Sequence, residues 1–131
     1  METEVVVDTS ALIEYVYGTE KGKTVKNIIE EKENLVLIPS IVIAEFTSKL
    51  ERSEVEDVDR ILNDLEAYSL FLPLDHATCI KSGKRHAKLK KLEKNISLAD
   101  AILIEIAEEH GGALILTCDN HFSHYKNSKI I

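Results

Sequence analysis

Four short apolar runs punctuate this chain: "VVV" at 5–7, "LVLI" at 35–38, "LFL" at 70–72 and "LILT" at 114–117. Runs of this length with no polar alternation are the pattern of strands buried on both faces. Between them the apolar residues recur at helical spacing, as in Leu12, Tyr15 and Val16, then Val25, Ile28 and Ile29. Thr9 or Ser10 opens the first of these helices, and residues 18–22 make a turn before the second. Pro39 stops the second run, and Ser40 is placed to cap a helix from 41 to about 52. Another helix follows to about Tyr68, Pro73 ends the third run, and a further helix starts near Asp75. Ser97 caps a strongly apolar helix to His110, which Gly111 and Gly112 break. Ile130 and Ile131 add a last edge strand. Strands alternating with helices predict one α/β domain over 1–131, a mainly parallel central sheet of about five short strands flanked by helices.

The 131 residues and the 44% hydrophobic fraction suffice for a folded core without staples. The start, "METEVVVD", carries acids where a signal peptide would carry Lys or Arg. No apolar run approaches the roughly 18 residues of a membrane span. Cys79 and Cys118 lack metal-type spacing and read as reduced thiols, so a cytoplasmic location is expected. The net charge of −7 argues against a nucleic-acid partner, but its distribution argues the other way. Residues 81–94 hold seven Lys or Arg and one acid, and the rest of the chain holds 9 bases and 22 acids.

Several familiar motifs fail. "GTEKGKT" at 18–24 has one residue too few between its glycines for a phosphate-binding loop, and it does not follow a strand. No GxGxxG or GxSxG is present. Asp8-Thr9-Ser10 lacks the second acid of aspartyl-phosphate phosphatases.

Four acids stand where apolar patterning does not predict them. Asp8 ends the first strand, at the carboxyl edge where open α/β folds place their ligands; an N-cap is the structural alternative. Glu45 follows Ile41, Val42, Ile43 and Ala44 in a helix with no clear polar face. Asp100 shares a helix side with Leu103, Ile104 and Ala107, about 140° from Glu105 on the apparent solvent stripe. Its spacing from Ser97 is also that of a capping box. Asp119 ends the fourth strand, where a turn or cap competes, and Thr117 offers a hydroxyl on the same side. Bare carboxylates brought together would repel by about 4 kcal/mol per pair at 4 Å and an effective dielectric near 20. Divalent ions such as Mg²⁺ or Mn²⁺ would relieve that repulsion and assist phosphodiester hydrolysis.

These blocks resemble the PIN-domain ribonucleases, most closely the VapC-like toxins of prokaryotic toxin–antitoxin pairs. "VVVDTSALI" is similar to the first family motif, "IPSIVIAEF" to the second, "ISLADAILIEIA" to the third and "LILTCDNHF" to the fourth. The resemblance implies Mg²⁺- or Mn²⁺-dependent RNA cleavage by Asp8, Glu45, Asp100 and Asp119, with Asp8, Asp100 and Asp119 holding metal. It also implies a small antitoxin partner and a homodimer. Ser10 and Thr117 are the expected substrate-positioning hydroxyls. In the basic segment Lys81, Lys84, Arg85, Lys88 and Lys91 share about a 120° arc, and Lys84, Arg85 and Lys88 are expected to guide RNA phosphates. Cys79, Ile80, Gly83 and Ala87 are then the packed side. His121 and His124, near Cys118 and Asp119, lack the fourth partner of a zinc site and read as surface or substrate-side histidines. The competing readings are a silent PIN-like module binding RNA or protein, and a PIN nuclease of RNA processing.

Overall fold

Each apolar run becomes a strand, and a computed structural model describes residues 3–131. Met1 and Glu2, part of the acidic start, lie outside the described residues. In chain order the elements are β1 (Thr3–Val7), α1 (Thr9–Tyr17), α2 (Glu20–Glu30), β2 (Asn34–Pro39), α3 (Ser40–Arg52) and α4 (Val58–Tyr68). They continue as β3 (Leu70–Leu72), α5 (His76–Leu89), α6 (Leu98–Glu109), β4 (Leu114–Thr117), a 3-10 turn over Asn120–His124, and β5 (Ser128–Ile130).

The five strands form one sheet of order β3-β2-β1-β4-β5, every pair parallel. Central β1 pairs Val5 with Val36 on one side and with Leu114 on the other. Val6, Val7, Leu37, Ile38, Ile115 and Leu116 are all sealed from solvent, which accounts for their unalternated apolar sequence. The chain steps from β1 outward to β3, then returns to the far side of β1. Right-handed crossovers therefore put α1–α4 on one face and α5–α6 on the other. The packing agrees: α1 rests on α2 and α3, and α5 rests on α6, which reaches β1 and β4. Among the described residues no helix is long and apolar enough to cross a membrane.

Several local expectations are corrected. Pro39, not Ser40, takes the N-cap position of α3; Ser40 opens the helix and its Oγ donates to the Leu72 carbonyl at 3.1 Å. Gly22 lies within α2, whose cap is the Thr19 hydroxyl accepting from the Gly22 N–H. A Cβ at Gly22 would strike the Glu14 carbonyl of α1, so this glycine serves close helix crossing. The last strand is Ser128–Ile130, two residues earlier than the isoleucine pair suggested.

The largest correction concerns α5. Cys79, Ile80, Gly83 and Ala87 are exposed, and Thr78 and Ser82 are buried instead. Thr78 Oγ1 donates to the Glu109 carboxylate at 2.9 and 3.1 Å, and Ser82 Oγ donates to the Thr78 carbonyl at 2.6 Å. With their hydroxyls satisfied, these polar residues pack at little cost. Glu105 is likewise not on a solvent stripe: it is buried between the two helices and accepts from Arg85 Nε at 3.1 Å.

Candidate active site

The strand order reverses between β1 and β4, and such switch points open a crevice at the carboxyl ends of the strands. Asp8 leaves β1 there, and Asp119 follows β4 after one intervening residue. Asp8 has the N-cap position of α1 and its carbonyl accepts from Ala11 and Leu12, but its side chain makes no capping bond. Instead Oδ2 accepts from Ser10 Oγ and from Thr117 Oγ1, both at 2.8 Å. Burial, which leaves 7% of Asp8 exposed, pushes its carboxyl above the usual range. The Ser10 and Thr117 hydroxyls and the Thr9 amide oppose the rise, and Asp100 adds to it.

The same hydroxyls tie the two strand exits together. Cys118 N–H donates to Ser10 Oγ, and Asp119 N–H donates to Thr117 Oγ1, each at 2.9 Å. Thr117 has no exposed surface, and its hydroxyl is directed at Asp8 rather than into the cleft. It supports a carboxylate, in place of the contact with substrate expected of it. Ser10 does line the cleft while holding Asp8.

The other acids arrive from helices and from the 3-10 turn. Glu45 lies on an exposed face of α3 with Ala44, Ser48 and Lys49, so the helix has the polar side that its apolar start concealed. Thr9 Oγ1 donates to Glu45 Oε1 at 3.2 Å. Solvent reaches one side of Glu45, but desolvation where it faces the cleft still raises its carboxyl, with Asp8 and Asp100 contributing and Thr9 and Lys49 opposing. Asp100 is buried and completes a capping box: its Oδ2 accepts from Ser97 N–H at 2.9 Å and its N–H donates to Ser97 Oγ at 3.0 Å. Asp119 Oδ1 accepts from His121 N–H at 2.8 Å and so opens the 3-10 turn.

That turn decides between the surface and substrate-side positions that the sequence left open for His121. His121 Nδ1 lies 3.4 Å from Asp100 Oδ2 and 3.2 Å from Asp119 Oδ1. His121 thus belongs to the acid cluster, and His124 is exposed away from it. An aspartate whose side chain bonds the amide two residues on is an Asx-turn, a signal that "DNH" carried. Lys49, Asn95 and Ser97 also line the cleft, of about 240 Å³, with all four acids.

Lys84, Arg85 and Lys88 are not brought into this cleft. With Lys81 they line a separate depression against Glu105 on the α5–α6 layer, where Arg85 is engaged by Glu105.

The residues present fit a divalent cation. One ligand atom from each of Asp100, Asp119 and His121 lies within 4.8 Å of the others, and the buried Asp8 carboxyl feels the charge of Asp100. Among the described residues no lysine or arginine forms an ion pair with Asp8, Asp100 or Asp119. Carboxylate oxygens with one imidazole suit hard to borderline ions.

A doubly wound parallel domain with a carboxylate cleft at its switch point is the class that fold and site define. The chain belongs to the PIN domain family, whose model matches residues 5–127. No curated protein sequence matches it. In fold it is similar to a chain of VapBC2 from Rickettsia felis, a structure bound to a promoter DNA fragment, with a TM-score of 0.76 at 15% identity over 98% of each chain. It is similar to Mycobacterium tuberculosis VapC20, described as a Sarcin-Ricin loop cleaving toxin, with a TM-score of 0.72 at 18% identity over 94% of this chain and 95% of that one. A toxin–antitoxin complex from Klebsiella pneumoniae gives 0.68 at 18% identity over 95% of each chain. At these identities the likeness is one of fold.

Proposed function

We propose that this chain is an Mg²⁺- or Mn²⁺-dependent endoribonuclease, acting in the cytoplasm as the toxin of a toxin–antitoxin pair. The observation that carries the reading is Asp8: a buried carboxylate that makes no side-chain capping bond, held by two hydroxyls beside Asp100, and in no ion pair with a lysine or arginine among the described residues. Membership of the PIN family supports nuclease chemistry, and the fold likeness to chains of toxin–antitoxin complexes supports an antitoxin partner; a homodimer belongs to the same proposal.

Asp8, Asp100 and Asp119 would hold the ion, with His121 at its side. When bound, the ion supplies charge against the phosphate oxygens and makes water more acidic. Glu45, its carboxyl raised and fixed by Thr9, is suited to accept the proton of the attacking water. Lys49 supplies positive charge at the cleft wall, and Ser10 faces the substrate from the Asp8 side.

The test is cleavage of mixed single-stranded and structured RNA by purified protein in Mg²⁺, Mn²⁺ or EDTA. Cutting is expected with either ion and not in EDTA, with Asp8→Asn slower by about 10²-fold, a loss of about 2.7 kcal/mol of barrier lowering. RNA bound but never cut would instead indicate a silent binding module.

A further inference from the structure

Beside the acid cleft, and sharing Lys49 with it, lies a second depression of about 230 Å³ lined by Ile13, Tyr17, Lys49, Arg52 and Ser53. Both its walls are helices that meet the acid cluster, α1 at its start beside Asp8 and α3 midway along, at Glu45. Thr9, Ile13 and Tyr17 recur every four residues along α1, and Glu45, Lys49 and Arg52 follow one stripe of α3. The two helices pack on one another and are tied at the cleft by the Thr9–Glu45 hydrogen bond. The groove between them therefore leads away from the acids. From Glu45 to Arg52 it runs about 10 Å at 1.5 Å per residue.

The walls differ in chemistry. The α3 side offers two exposed cations. The α1 side offers Tyr17, 54% exposed at the last position of its helix, over the partly buried Ile13. An exposed ring facing a line of cations is how proteins take single-stranded nucleic acid: bases stack on the ring and the cations track the backbone. A duplex offers no free base face to such a ring. The 5% aromatic content gave no hint of a stacking platform, because one ring suffices when the fold sets it beside the site.

We propose that the α1–α3 groove is the subsite for single-stranded RNA next to the scissile phosphate, with Tyr17 stacking on a base and Lys49 and Arg52 holding phosphates. The inference rests on the nuclease reading above. It puts the leading substrate contacts on the face of the sheet opposite to the basic helix α5.

The test measures fluorescence anisotropy of a labelled single-stranded RNA octanucleotide of mixed sequence, in Mg²⁺, with Asp8→Asn protein as the parent. Tyr17→Ala in that parent is expected to weaken binding about tenfold, within the range of one base–aromatic stack. Tyr17→Phe keeps the ring and retains the parent affinity. Lys49→Ala and Arg52→Ala each lower the slope of log affinity against log salt by about 0.7. A duplex of the same sequence is insensitive to Tyr17→Ala. All three side chains are exposed, so circular dichroism and melting should stay at the parent's values. Unchanged octanucleotide affinity in the groove variants overturns the subsite, whether the groove then takes a peptide or nothing. Equal losses in Tyr17→Ala and Tyr17→Phe overturn the stacking role. If wild-type protein still cuts RNA in a metal-dependent way, only the subsite has failed. If it neither cuts nor binds RNA, the nuclease reading has failed with it.

Discussion

Asp8 and Asp100 face the same cleft from opposite layers, and their side chains are employed differently. Asp100 is built into its helix: it closes a capping box with Ser97, so its carboxylate satisfies the Ser97 amide whatever else it does. Asp8 stands at the start of a helix as well, yet contributes nothing to the cap and is held by Ser10 and Thr117 across the strand switch. Two residues with the same apparent excuse for their position therefore separate into one that caps its helix and one that does not. A buried charge whose bonds to two hydroxyls a neutral amide could also make points more strongly to chemistry.

The contrast makes a pair of substitutions informative. Asp8→Asn and Asp100→Ala are both expected to slow RNA cleavage by about 10²-fold. Their metal-free stabilities should diverge. Asparagine keeps an acceptor for the two hydroxyls and removes a desolvated charge, so Asp8→Asn melts at the parental temperature or above it. Asp100→Ala loses the capping box, at a cost of about 1 kcal/mol, or about 4 °C in a domain of this size. Thermal melting in EDTA checks both. A clear fall in Asp8→Asn would erase the distinction between the two acids.

The same division between support and chemistry runs through α5. Arg85 was expected to meet substrate, but it partners Glu105, whose side chain is only 10% exposed. Arg85→Ala should cost about 2 kcal/mol by stranding that carboxylate. Lys84→Ala, at an exposed position, should stay within about 0.5 kcal/mol of the parent. Urea unfolding of the two variants decides it; equal midpoints would mean that Arg85 is free for RNA after all.

Where patterning worked and where it did not follows from what each residue satisfies. Strands β1, β2 and β4 were legible because a parallel strand covered on both faces has no polar side to disguise it, and the edge strand β3 was legible because its run of three apolar residues ends at Pro73. The edge strand β5 was misplaced by two residues because Ser128 and Lys129 need no apolar run there. The face of α5 was inverted because periodicity counts apolar side chains, and Thr78 and Ser82 pack inward with their hydroxyls bonded to Glu109 and to the helix itself. Helix α6 is buried nearly all round from Asp100 to Ala107, so its helical wheel had no true solvent side. The carboxylates at Asp8, Glu45, Asp100 and Asp119 were legible as outliers, and the cleft they line is one cleft. His121 was not, since only the turn opened by Asp119 swings its ring towards Asp100.

Thr117 tests whether the hydroxyl support is what separates Asp8 from Asp100. Thr117→Val preserves shape while removing the donor to Asp8 and the acceptor for the Asp119 amide. The expected cost is about 1 kcal/mol in stability, with a loss of about tenfold in cleavage rate as Asp8 and Asp119 lose their alignment. Thr117→Ser, which keeps the hydroxyl, should recover most of the rate. Comparing kcat and KM of the two variants checks this: a loss confined to KM would return Thr117 to the substrate.

The smallest effect is also the most specific to Asp8. Its carboxyl and that of Glu45 are raised from ordinary values of 3.8 and 4.5, so the folded chain binds their protons more readily than the unfolded chain does. Their contribution to metal-free stability is fully present below those ordinary values and is lost as pH rises through the raised ones. Asp75, whose carboxyl is lowered by the Thr78 amide, works in the opposite sense. A melting profile of the parent alone therefore mixes signs. The difference between Asp8→Asn and parent removes every group the two proteins share. That difference should be positive near pH 7 and shrink as pH falls toward 4, because protonation relieves in the parent what the amide has already relieved in the variant. A difference independent of pH would mean that Asp8 gains from the amide by packing rather than by loss of charge, and the case for an uncompensated carboxylate would go with it.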